Sequence, residues 1–499
     1  IGSLTETLDA VETAHKAGEY LPIRPETDAF LLLAMIHEIF AAGLQDLGEL
    51  APLVYGLQEL EQAVEPFNAD LAARHTGIAS QTIRELAHDF ARAGAAVSYA
   101  RMGASTQSYG ALCQWASNAL NIITGNFDRV GGAMFTTPAL DYVGMTSRKG
   151  QARSYPEKRS RVSGQPLYNG EFPISVMAEE METEGEGQIK ALVCVAGNPV
   201  LTAPNGRRIG QGLEELDFML SIDIHINDTS RHADLILPGT VALEEVVYDM
   251  VFHSFAVRNT AAFGEAIFAP PNGNPQEWQV IAELAARLSG ANSVGASPRQ
   301  VLEALLPQGF HGERVSVAAM LSAPEGAIDL GPLTPNIAQR LETPDGLIHL
   351  APEVFVADLP RLLAYQSPQS PDFPLLMIGR RQVRSHNSWT QNSPRLVKGR
   401  NRCTLQMNPR DAERLGILDA GKVRVSSRVG EVTLAAEVTS EMSVGVVSIP
   451  QGWGQSQKTT GTASRAATIS INDLTDDSRI DPVSGNAAFN GVPVRVTAL

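Results

Sequence analysis

The strongest constraint on the fold lies in the middle of the chain. Residues 191–196 (Ala-Leu-Val-Cys-Val-Ala), 219–223 (Met-Leu-Ser-Ile-Asp) and 235–237 (Leu-Ile-Leu) are short apolar runs, with helical patterns near 206–216 and 228–233 between them. Strands without a regular polar alternation are buried on both faces, and strands that alternate with helices are connected in parallel. The expectation is an α/β fold whose parallel sheet is covered by helices on both sides. In such sheets ligands lie beyond the carboxyl ends of the strands, so the residues that follow each run become the first functional candidates.

The flanking regions have different textures. Residues 1–95 read as helical, with apolar residues at helical spacing over 6–17, 29–42 and 80–93. Residues 96–100 fit a buried strand, and 109–124 an apolar helix. Residues 136–175 are rich in Pro, Arg, Ser and Gly and read as an extended excursion. A helix is expected over 275–290, then a linker-rich stretch over 291–370. From Phe373 the chain turns all-β, with short runs over 423–427, 431–435, 444–449 and 492–496 separated by Gly-containing turns. A C-terminal β-barrel closes such a set without free edges. Since single cores stop growing at roughly 250–300 residues, 499 residues divide into several units. We expect 1–95 to be part of one α/β dinucleotide-binding domain, 96–370 a second, and 371–499 the barrel.

Charge and cysteine content narrow the function. With 39 Lys plus Arg against 55 Asp plus Glu, the net charge of −16 argues against nucleic acid and against a polybasic membrane patch. No apolar stretch reaches the 18 or more residues of a membrane span. Cys113, Cys194 and Cys403 are far apart, without a C-x-x-C, so these residues form neither a disulfide framework nor a cysteine-ligated cluster. His386 has no second ligand at metal spacing, and no metal site is assigned.

Three segments carry recognition chemistry. After the first run come Gly197, Asn198 and Pro199, where glycine permits close backbone approach and a helix N-terminus can meet an anion. The second run ends in Asp223, a carboxylate able to accept adjacent N–H donors such as those on the Watson–Crick edge of guanine. Gly379-Arg380-Arg381-Gln382-Val383-Arg384-Ser385-His386-Asn387-Ser388-Trp389-Thr390 concentrates three arginines and several amides and hydroxyls in an acidic chain. There is no P-loop, no G-x-S-x-G and no G-x-G-x-x-G opening a helix.

Taken together, these segments resemble the molybdenum/tungsten bis-pterin-guanine-dinucleotide oxidoreductases, the dimethyl-sulfoxide-reductase superfamily, in its formate dehydrogenase and nitrate reductase branch. The resemblance covers nearly all of the chain. It rests on the order of Pro25-Glu26-Thr27-Asp28, Met102-Gly103, Gly125-Asn126, Gly131-Gly132, Gly197-Asn198-Pro199, Asp223, the 233–238 segment, the 379–390 segment, Asn408-Pro409 and the 481–496 tail. It implies that Glu26, Thr27 and Asp28 hold a first guanine dinucleotide, and that Gly197, Asn198, Pro199 and Asp223 hold a second. Met102, Gly103, Thr106 and Gln107 would touch the pterin near the metal, with Thr106 the position match and Gln107 displaced by one. Gly379, Arg380, Ser385, His386 and Thr390 would line both cofactors, with Trp453, Asn472 and Asn490 as further contacts.

The implied barrel is of double-psi type, and the implied cofactors are two molybdopterin guanine dinucleotides with Mo or W. The family's 4Fe–4S segment and metal ligand precede the matched region, so both are expected upstream of Ile1, and the 499 residues alone are expected to be inactive. Implied partners are a small-molecule substrate such as formate or nitrate and an iron–sulfur, flavin or cytochrome electron-transfer subunit. A cytoplasmic location is expected; a twin-arginine signal before Ile1 would instead make it periplasmic. The alternatives within this fold are a non-catalytic electron-relay scaffold and a non-redox hydratase or hydroxyl-transferase.

Overall fold

A computed structural model describes residues 20–146, 158–168, 170–291, 295–382, 385–390, 393, 395–454 and 469–499. The helical pattern at 6–17 lies outside them. Helix α1 (Asp28–Ala41) has 11 of its 14 residues buried, and a helix without a wet face must sit inside a core. It packs with α3 (Gly110–Ile123), which follows the single turn α2 (Met102–Ser105). Phe30, Leu33 and Ile36 join Leu60, Phe67, Ile83, Leu112, Leu120 and Ile123 in this core, and the chain returns much later to add Leu350, Leu359 and Leu362. One core therefore spans the 95/96 division expected from the sequence.

Residues 96–100 form no strand. Their backbone is satisfied from a helix instead: Asn121 of α3 accepts from the Ser98 N–H at 2.7 Å and donates to the Ser98 carbonyl at 2.9 Å. Val97 and Tyr99 are exposed.

The central sheet has three parallel strands in the order β1 (Ala191–Val195), β2 (Phe218–Ile222), β3 (Leu235–Leu237). Helices α4 (Pro199–Thr202) and α5 (Gly206–Glu214) follow β1. The central β2 is buried from Met219 to Ile222, as its unbroken apolar character requires. Edge strand β1 departs from the expected cover on both faces: Cys194 is buried against Met181, Ile209 and Leu213, whereas Val193 is 44% and Val195 38% exposed.

Helix α6 (Glu277–Ser289) appears as read. The stretch 291–370 is more than linker. It supplies Leu302, Leu306, Val317, Met320 and Leu330 to a small core with Ala139, Leu140, Ala261 and Phe263. An antiparallel pair, Arg258–Ala262 with Ala327–Pro332, lies at its edge.

The C-terminal unit is a closed six-stranded barrel built from β4 (Leu375–Arg380), β5 (Thr404–Met407), β6 (Lys422–Ser426), β7 (Glu431–Val438), β8 (Val446–Pro450) and β9 (Val492–Ala498), in the order β6-β7-β5-β8-β4-β9. Parallel pairings (β7 with β5, β8 with β4) are mixed with antiparallel ones. Alternation builds the interior: Val423 and Val425 point in while Lys422 and Arg424 face water. Among the described residues no helix is long and apolar enough to cross a membrane.

Candidate functional site

The carboxyl ends of β1 and β2 open into a cleft of about 1010 Å³ that is also lined from the barrel side, by Arg381, Thr390, Gln451, Asn472 and Asn490. At the end of β1 the chain takes a left-handed step at Ala196 (φ 47°) before Gly197, and this sets Asn198 at the mouth of α4. The Asn198 side chain is nine-tenths buried, and its Oδ1 accepts a 2.7 Å bond from the Thr229 hydroxyl. With the carbonyl end fixed, the amide NH2 is the free end. Among the described residues it has no acceptor, and it lies in the cleft wall.

Asp223 is oriented just as firmly. Its Oδ1 accepts from the His225 N–H at 2.9 Å and its Oδ2 from the Asn227 amide at 2.8 Å. A carboxylate has about four lone-pair sites, so each oxygen keeps capacity for a ligand donor. Asn198 and Asp223 thus present a donor and an acceptor to the same space from neighbouring strands.

Two asparagines tie the barrel to this wall. Asn490 accepts from the Gly379 N–H at 3.1 Å and donates to the Thr106 hydroxyl at 2.9 Å, while that hydroxyl donates to the Met102 carbonyl at 2.8 Å. Asn472 donates to the Leu201 carbonyl at 2.6 Å and accepts from Thr475 at 2.9 Å. Met102, Gly103 and Thr106 line the cleft with them. Gly379 packs against the Gln451 side chain, whose Nε2 a Cβ there would meet at 2.5 Å, so a larger residue would have to displace that amide.

Other sequence candidates lie outside the cleft lining. Glu26, Thr27 and Asp28 are buried at a seam: Glu26 pairs with Arg479 and accepts a 2.6 Å bond from Ser108. Gln107 donates to Asp28 at 3.0 Å and to the Gly103 carbonyl at 2.9 Å, leaving its own buried Oε1 without a partner. Burial pushes the Asp28 carboxyl up to about 6, against the opposing pull of the Gln107 bond. Arg380 turns into the barrel and donates to the carbonyls of Ser448 and Thr404 at 2.5 and 2.8 Å. Burial lowers its pKa to about 10.

Ser385 is buried and donates to the Gln382 and Gln451 carbonyls; His386 is exposed with φ 41° beside Trp389. Trp453 is buried, and among the described residues its indole N–H has no partner. Pro199 opens α4 behind Asn198. Arg384 lies outside the described residues. Among the described residues no group of three His, Cys, Asp or Glu side chains is placed to hold a metal ion.

The sequence reading missed Thr240, Glu277 and Thr475, all in the cleft wall. Glu277 opens α6, and the only available signal was that a helix begins there.

An α/β sheet whose strand ends face a large cleft under a mixed β-barrel defines a multidomain, ligand-binding α/β protein. The comparisons are more specific. Residues 1–287 match the family model described as molybdopterin oxidoreductase, and 375–493 match the molydopterin dinucleotide binding domain. The chain belongs to the molybdopterin oxidoreductase family. It is 25% identical over 453 residues to the F420-dependent formate dehydrogenase 1 subunit alpha of Methanococcus maripaludis, covering 88% of this chain and 65% of that protein. To the assimilatory nitrate reductase catalytic subunit of Bacillus subtilis it is 23% identical, over 99% of this chain and 70% of that one. The acetylene hydratase structure from Pelobacter acetylenicus shares the fold, with a TM-score of 0.79 at 19% identity over 98% of this chain and 72% of its own. The chain thus spans about two-thirds of the length of the curated relatives it matches.

Proposed function

We propose that these residues form the larger part of the catalytic subunit of a molybdenum or tungsten oxidoreductase that binds two pterin guanine dinucleotides and carries out two-electron redox of a small substrate such as formate or nitrate. The observation that carries the reading is the cleft, where Asn198 and Asp223 offer an oriented donor and acceptor between the sheet and the barrel. This donor set fits a nucleotide: the Asn198 amide and the nearby backbone suit phosphate or ribose oxygens, and Asp223 suits a base edge rich in N–H groups.

When bound, the metal–pterin group would supply the redox chemistry itself. The chain's own part is to bind and orient. Asp223 holds the base of one dinucleotide, with Gly197, Asn198, Asn472 and Thr390 along its length. Met102, Gly103, Thr106 and Asn490 bracket the pterin end. Glu26, Thr27, Asp28 and Gln107 remain the proposed anchor of the first dinucleotide, and Arg380, Ser385, His386 and Trp453 the barrel's supporting set.

A 4Fe–4S cluster in this reading needs cysteines other than Cys113, Cys194 and Cys403, each of which is buried. Electrons would then pass to an iron–sulfur, flavin or cytochrome partner. Elemental analysis and acid hydrolysis of the intact polypeptide, purified from a cofactor-competent host, test the reading. Molybdenum or tungsten together with GMP is expected; a preparation free of both would contradict it.

A further inference from the structure

The cleft wall around Asp223 carries more negative charge than one anchoring carboxylate requires. Glu245 and Glu277 line the same cleft, and Glu245 is held by the Thr240 hydroxyl. Glu277 differs from both neighbours: among the described residues its carboxylate accepts no hydrogen bond and pairs with no cation. It lies over Gly239, where a Cβ would sit 2.8 Å from Glu277 Oε1. Burial, with the neighbouring Glu245 and Asp223 charges, pushes its carboxyl up from the usual range. Among the described residues no group of such side chains is placed to hold a metal ion. A partly buried carboxylate with no protein donor suits a neutral ligand edge rich in N–H groups, whereas an anionic phosphate would repel it.

Donor counting identifies that edge. Guanine presents three hydrogens, one on N1 and two on its 2-amino group. Asp223, already oriented by His225 and Asn227, can take the N1 hydrogen and the nearer amino hydrogen in bidentate fashion. The third hydrogen needs another acceptor. We propose that Glu277 is a specificity residue of this cleft, accepting the outer hydrogen of the guanine 2-amino group and so favouring guanine over bases that lack that amine. At the neighbouring strand end, Asn198 offers its amide, and the barrel adds Arg381. The cleft wall therefore offers both acceptors and donors.

This inference rests on the dinucleotide reading and can fail separately from it. The test is equilibrium binding of GMP and of IMP, which lacks only the 2-amino group, to the full chain from a cofactor-deficient host. The wild type is expected to prefer GMP by tenfold or more, the order of one charge-assisted hydrogen bond. Glu277→Ala should weaken GMP about tenfold and leave IMP within twofold. Glu277→Gln, which keeps the size and a weaker acceptor, should fall between. Gly239→Ala, which keeps the charge but displaces the carboxylate, should also lower the GMP/IMP ratio. An unchanged ratio in Glu277→Ala, or equal losses for both nucleotides, overturns the inference. If Asp223→Ala still weakens GMP in that case, the dinucleotide reading stands. A wild type that binds neither nucleotide contradicts both.

Discussion

Asp28 and Asp223 hold opposite positions in the molecule. Asp28 lies 8% exposed in the seam between α1, the Gln107 amide and the C-terminal tail, next to the buried Glu26–Arg479 pair. Asp223 stands at an open strand end with two protein donors and lone pairs to spare. The difference teaches that access, more than the number of partners, separates the two acids: Asp28 accepts one side-chain bond but is buried, whereas Asp223 accepts two and lines the open cleft. In the seam, burial and the Gln107 bond set the state in which Asp28 would meet a ligand. In the cleft, the same group is presented.

The largest test of that contrast is at Arg479. Arg479→Met leaves Glu26 buried without its cation, and breaking a buried pair from one side typically costs about 3–5 kcal/mol. Thermal or denaturant unfolding should show a loss of that order; a loss below about 1 kcal/mol would mean that the seam does not depend on the pair. The Asp28 effect should appear as pH dependence. Its folded pKa of about 6 lies above the ordinary aspartate value of 3.8, so the folded state binds the proton more tightly. Stability contributed by the protonated form is full below about pH 4 and is lost as pH rises to about 6, by roughly 3 kcal/mol. Asp28→Asn should flatten the stability curve between pH 4 and 6, and an unchanged slope would place the titrating group elsewhere. On the cleft side, Asn490→Ala removes a bridge from Gly379 to Thr106. A cost of about 1–3 kcal/mol is expected, together with faster hydrogen exchange at the Gly379 amide. Unaltered exchange there would show that the bridge is dispensable.

Much of the architecture was legible in the sequence because it depends on local pattern. Helices α1, α3 and α6 and the strands around Val423 and Val432 declare themselves by apolar spacing, and the three parallel strands by their unbroken apolar runs. The failures have a common cause in long-range pairing. Residues 96–100 have strand composition, yet their hydrogen bonds go to Asn121. The core of Phe263, Leu302 and Met320 joins segments whose separate periodicities are weak. That Asp223 and Asn198 line the cleft was readable because they follow strand ends, where α/β sheets leave room for ligands. Glu277 was not, because nothing in its own helix shows that it faces Asp223. Arg380 was expected from the resemblance to line both cofactors; its planar guanidinium donates to barrel carbonyls, a partner set that only the folded barrel reveals.

The account stands most directly on which carboxylate a nucleotide meets. The measurement is the GMP released by acid hydrolysis from wild type and Asp223→Ala, each produced as intact polypeptide under limiting cofactor supply. Loss of a charge-assisted contact, about 1.5–3 kcal/mol, predicts that Asp223→Ala loses most of one dinucleotide's share and so retains about half of the wild-type GMP while remaining folded. Full retention in Asp223→Ala would contradict the assignment of the open cleft as the nucleotide site.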